Sequence, residues 1–145
     1  MRLQSPYCPV TSAQVRDSGL DYLALGHIHK AGSFRTPRTL CAWPGAPMGR
    51  GYDETREKGV YIVELEERPQ LRFVQLDTPR FYDLEVDMDI QNLEDVLPAA
   101  DCGHFYRVTL RGSSGEPMDV LRAKFAYLPN LELTDHREKI ADLWE

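Results

Sequence analysis

Two histidines one residue apart, His27 and His29, lie in the stretch Gly26-His27-Ile28-His29-Lys30, directly after the apolar run Tyr22-Leu23-Ala24-Leu25. Neutral imidazoles ligate zinc, manganese or iron, and a pair at i and i+2 can serve two neighbouring ions of one binuclear centre. Such centres hold their ions about 3.5–4 Å apart and clamp the attacking and leaving oxygens of a phosphoryl displacement. Gly26 offers a backbone turn with no side chain in the way. The pair alone is not specific, because one exposed turn produces the same spacing. A binuclear site also needs carboxylates, at least one of them bridging.

Other chemistry-bearing residues have plainer readings. Cys102 and His104 flank Gly103 at a strand start, where such residues are most often structural. His136 sits among Asp135, Arg137 and Glu138 and reads as a solvated side chain. Arg35, Arg38, Arg50, Arg56 and Lys58 fall in loops near the histidines. They are candidates for nucleic-acid phosphates, or equally scattered solubilising charge. Trp43 and Tyr52 are candidate stacking partners for a base, with packing beneath a loop as the alternative.

The elements that would position the histidines follow from pattern. Thr11 or Ser12 caps a short helix through Ala13, Val15 and Arg16, with Gly19 as its stop. The run from Leu20 to Leu25 then reads as a buried strand. A helix followed by a buried strand is half of an α/β unit, and ligands in open sheets sit at the carboxyl ends of strands, where His27 and His29 fall. Short runs separated by Gly and Pro suggest antiparallel strands at 33–35, 39–43, 59–65 and 71–77. Between them, 44–54 is a Gly- and Pro-rich loop. From Thr78-Pro79 a second unit begins. Tyr82, Leu84, Val86 and Met88 alternate with acidic residues, and Tyr106, Val108 and Leu110 define another half-buried strand. A short helix near Leu93 and Val96, one opened by Glu116-Pro117, a last strand at Leu131 and Leu133 and a weakly helical tail from Asp135 complete the order.

Composition sets the outer bounds. The chain has 145 residues, 42% hydrophobic and 28% charged, which are globular values. No apolar stretch approaches a membrane span, and no basic-then-apolar leader opens the sequence. Cys8, Cys41 and Cys102 form no paired-thiol motif, which favours a reducing cytoplasm. The net charge of -6 is uneven: residues 1–78 balance at +1 and residues 79–145 at -7. The acidic half should repel a phosphate backbone, so electrostatic nucleic-acid binding by the whole chain is not expected.

The ten residues from Asp21 to Lys30 resemble the last metal-binding motif of the calcineurin-like metallophosphoesterases, most nearly the SbcD-type DNA repair exonucleases. Tyr7-Cys8-Pro9-Val10, Trp43-Pro44-Gly45-Ala46-Pro47 and the stretch from Lys58 to Leu65 match as well. The likeness is strong over 7–77 and looser over 78–145, which resembles the small capping domain that follows such a nuclease core. It implies an α+β chain: the second half of a metallophosphoesterase β-sandwich over 1–78, then a capping-type α+β domain over 79–145. It also implies two manganese-type ions, with His27 on one and His29 on the other. The family's remaining ligands are an Asp-x-His pair, a bridging Asp, an Asn-His pair and a further His. The resemblance places them upstream of Met1, and none can be matched in this chain.

The parent activity implied is metal-dependent hydrolysis of DNA phosphodiesters by an activated water, with an SMC-like ATPase as partner of the full-length enzyme. Two imidazoles without carboxylates leave most coordination positions to water, so this chain alone is expected to bind metal weakly and to be inactive. The alternative is a non-catalytic binding or assembly module built on the same fold. An apolar strand lacking its neighbours invites self-association, so a homo-oligomer covering those edges is expected.

Overall fold

The helix that opens the described chain is held by its own first turn. In the computed structural model, which describes residues 9–55 and 57–138, α1 spans Ser12–Asp17 with Thr11 as its N-cap. The Gln14 N–H donates to the Thr11 hydroxyl at 3.2 Å, and the Thr11 N–H donates to Gln14 Oε1 at 2.8 Å. That reciprocal box satisfies two donors that a helix terminus otherwise leaves open. The described residues divide into two compact units, one of 9–48 and 57–78, the other of 49–55 and 79–138. The division is therefore not a single cut at 78.

In the first unit, β1 (Tyr22–Ala24) pairs parallel with β3 (Leu40–Trp43), and β2 (Gly32–Arg35) pairs antiparallel with β3 on its other side. The buried strand is thus β3, whose Leu40, Cys41 and Ala42 are all but sealed from solvent. The expectation of a buried strand over Leu20 to Leu25 is corrected. The strand is three residues long, lies at the sheet edge, and leaves Leu20 45% exposed. An apolar run reports what a strand could bury, whereas its neighbours decide what it does bury. Thr39 joins the two layers of chain: its buried hydroxyl donates to the Leu20 carbonyl at 2.7 Å. Strands β4 (Gly59–Glu64) and β5 (Gln70–Gln75) form an antiparallel hairpin.

The second unit runs β6 (Phe81–Asp87), α2 (Leu93–Val96), β7 (Phe105–Arg111), α3 (Met118–Lys124) and β8 (Leu131–Asp135). The three strands are parallel in the order β6-β7-β8, as helices returning the chain to the same end require. Val86, Val108 and Leu110 from the strands meet Leu93, Leu97, Leu121, Phe125 and Leu128 from the helical side. The opposite face is polar. Arg107 grips Asp83 through two nitrogens, at 3.2 and 2.6 Å, and Arg111 reaches Glu85 at 2.7 Å. The Arg107 hydrogen bonds hold the Asp83 carboxyl below the usual range. Residues 49–55 join this unit through Tyr52, whose ring meets Phe81 edge-on at 5.2 Å and lies under the Arg107 guanidinium at 4.4 Å. His136, Arg137 and Glu138 carry no helix, and the remainder of the expected helical tail lies outside the described residues.

The described residues are α+β with mixed sheets, compatible with part of a metallophosphoesterase fold. Leu110 has no exposed surface and sits centrally in the second core. Leu110→Ala is expected to cost about 2–5 kcal/mol in urea unfolding of that unit. A loss below about 1 kcal/mol would place the core elsewhere.

Candidate metal centre

The histidine loop begins where the β1 ladder ends. The Leu25 N–H still donates to the Ala42 carbonyl at 2.8 Å, which fixes the last residue before the loop. Two residues later the backbone reverses hand. His27 has φ +71, and among the described residues it is the one non-glycine with a positive φ. The Ile28 N–H donates to the Gly26 carbonyl at 2.9 Å, closing a three-residue γ-turn around His27. The turn expected at Gly26 is therefore corrected to His27. Gly26 keeps a φ that any residue adopts, and a Cβ built there meets nothing within 4 Å. A non-glycine in this region costs about 1–2 kcal/mol, and such strain clusters at functional sites.

The turn leaves His27 exposed and His29 half-buried, with Ile28 between them 47% exposed. The segment just beyond is held from two directions. Lys58, only 6% exposed, extends its ammonium to the His29 carbonyl at 3.2 Å. Gly45, at φ +81, brings its backbone so close that a Cβ there would stand 2.9 Å from the Ala31 nitrogen and 3.0 Å from the His29 carbonyl oxygen. Neither contact was legible from residue spacing. Their one signal was that Gly45 and Lys58 belong to the two segments that share the family resemblance.

Several of the basic residues have partners or neighbours within their own unit. Arg35 lies in β2 rather than in a loop, and its guanidinium donates to the Pro69 carbonyl at 2.6 Å. Arg38 pairs with Asp21 at 3.2 Å. Arg50 belongs to the second unit, 3.9 Å from Glu54. Lys58 is buried against the histidine loop, so the expectation of a loop lysine facing solvent is corrected. Arg56, Tyr7 and Cys8 lie outside the described residues. Trp43 packs on Phe34 at 5.6 Å between ring centres, and Tyr52 is engaged by Phe81 and Arg107 as above. In the second unit the Cys102 sulfur lies 3.4 Å from the Tyr106 hydroxyl, and burial pushes that phenol's pKa up. His104 Nδ1 accepts the Arg80 N–H at 3.3 Å. Both side chains thus have structural partners.

As ligands, His27 and His29 have the donor chemistry that divalent transition ions take. The count is short. Among the described residues no group of three or more His, Cys, Asp or Glu side chains is placed to hold a metal ion. These residues therefore do not complete a binuclear centre.

Comparison with known proteins agrees with the donor chemistry. Over 60 residues, 41% of the chain, the sequence is 42% identical to YhaO, an uncharacterized metallophosphoesterase of Bacillus subtilis (strain 168). That likeness supports the metallophosphoesterase superfamily. The superfamily implies divalent metal ions. The chain spans 15% of the length of that relative. No protein-family model matches the chain. Among the described residues no helix is long and apolar enough to cross a membrane.

The loop geometry separates two glycine exchanges. His27→Gly relieves the left-handed strain but adds unfolded-state freedom, so thermal unfolding should shift between zero and a gain of about 1 kcal/mol. Gly45→Ala should lose about 1–3 kcal/mol, because a Cβ there strikes backbone atoms on both sides. A destabilising His27→Gly together with a neutral Gly45→Ala would contradict this geometry.

Proposed function

We propose that this chain carries two ligands, His27 and His29, of a binuclear-metal phosphodiesterase centre, and that it corresponds to the end of an SbcD-like nuclease core with its capping region. The observation that carries the reading is the strained turn at His27. It sets two imidazoles at i and i+2 at the carboxyl end of a β-strand, inside a stretch resembling the last metal-binding motif of that family. The 42% identity to a metallophosphoesterase supports the same chemistry. Manganese is the proposed ion, and DNA phosphodiesters the proposed substrate. An SMC-like ATPase is the proposed partner of the longer protein.

Divalent ions at such a centre supply Lewis-acid activation and a clamp for the oxygens of the displacement. The residues of this chain contribute neutral donors and their placement. They contribute no carboxylate to the centre among those described. The charge compensation and the bridging position are assigned to the segment that bears the Asp-x-His and Asn-His motifs. On this reading the 145-residue chain by itself is catalytically silent.

Co-expression with a segment carrying those motifs tests the proposal. With manganese present, the assembled protein should hydrolyse linear DNA, the chain alone should not, and His29→Ala in the assembly should fall to background. Hydrolysis unaffected by His29→Ala, or a full activity in the isolated chain, would overturn it. An assembly that binds its partners yet never hydrolyses DNA would favour the binding-module alternative.

A further inference from the structure

We propose that Lys58 is a positioning residue for the histidine loop: its buried ammonium pins the His29 carbonyl and so sustains the left-handed turn that aims His27 and His29. The proposal rests on the reading of these histidines as ligands, and goes beyond it by assigning a role to a residue outside the ligand set.

The loop has fixed ends and a strained middle. Upstream, Leu25 is tied to Ala42; downstream, the β2 ladder starts with Gly32 opposite Trp43. The six residues between must hold a γ-turn that a non-glycine resists. Positive φ is uncommon even at histidine, so the surroundings must help to sustain it. Lys58 supplies such a constraint at 3.2 Å, from 29 residues away in the chain. Gly45 leaves that carbonyl room that a side chain would take, since a Cβ there would stand 3.0 Å from it.

Lys58 is itself well anchored. It immediately precedes β4, and the Leu76 N–H donates to the Lys58 carbonyl at 3.0 Å, continuing the β4–β5 ladder by one rung. The hairpin thereby holds the lysine backbone, and the lysine side chain holds the loop. Burying an ammonium is costly unless it is hydrogen-bonded. A methionine of similar reach would fill the same space without that cost, and would lack the donor that this ammonium gives the His29 carbonyl. Partners just outside a ligand set typically change metal affinity when lost, because they orient the donors.

Solution NMR on the full chain tests this with Lys58→Met and Lys58→Arg. The His27 Cα and Cβ shifts and its HN–Hα coupling read the sign of φ, and added Mn²⁺ reads ligand placement by broadening the two imidazole signals. Slow amide exchange in Leu40, Cys41 and Ala42 checks that the sheet is intact. In Lys58→Met the positive-φ signature of His27 should be lost, and half-broadening should need about tenfold more Mn²⁺. Lys58→Arg, which restores a donor, should recover most of both. A Lys58→Met chain with the wild-type turn and wild-type Mn²⁺ response overturns the proposal. Should Lys58→Met disrupt the sheet, a Lys58→Arg chain with an intact sheet and a lost turn also overturns it. Loss of the turn in Lys58→Met with no imidazole broadening even in wild type supports the clamp and overturns the ligand reading instead.

Discussion

A left-handed backbone at a histidine is the constraint on which the site depends. The turn at His27 costs free energy, against which its own Ile28-to-Gly26 hydrogen bond works. It persists because β3 fixes both flanks of the loop and because Lys58 holds the His29 carbonyl, with Gly45 leaving room for it. Two imidazoles on a relaxed loop would sample many directions. Two imidazoles on a confined one arrive at a metal with less ordering left to do. The same confinement explains why a hairpin with little core of its own is kept beside the site.

The hairpin and β1 share another property. Val60 and Ile62 are about two-fifths exposed, Leu65 more so, and among the described residues β1 has a ladder partner on one side only. Exposed apolar strand residues and an unpaired edge are features that folded proteins usually cover. In the 145-residue chain itself, a homo-oligomer is the proposed cover. The second unit differs, since its strands and helices close a core of their own with an ion-paired face outward.

Local pattern made much of this fold readable. Of the two cap candidates, Thr11 and Ser12, Thr11 holds the N-cap of α1, and the alternation from Tyr82 to Met88 gave the face of β6. The Glu116-Pro117 pair marked the opening of α3, whose N-cap is Pro117. Each of these depends on neighbours in sequence, where periodicity carries the information. Of the proposed site, only the histidine pair was legible. The edge position of β1 depends on which strands flank it, and the direction of the β6-β7-β8 ladder on how the crossovers return. The turn at His27 fell on the residue after the glycine that advertised it, because distant contacts help to sustain the positive φ. The buried Lys58 looked like a solvated loop cation for the same reason: its partner lies 29 residues away. The union of 49–55 with the second unit is another long-range effect, carried by Tyr52, Phe81 and Arg107.

The central claim is that His27 and His29 are built to face metal ions. Anomalous diffraction from crystals of the chain grown with manganese addresses it most directly. The account predicts anomalous density within coordinating distance of both imidazoles, with His27 still at positive φ. Manganese ordered elsewhere on the chain, with both imidazoles turned away from it, would contradict the account.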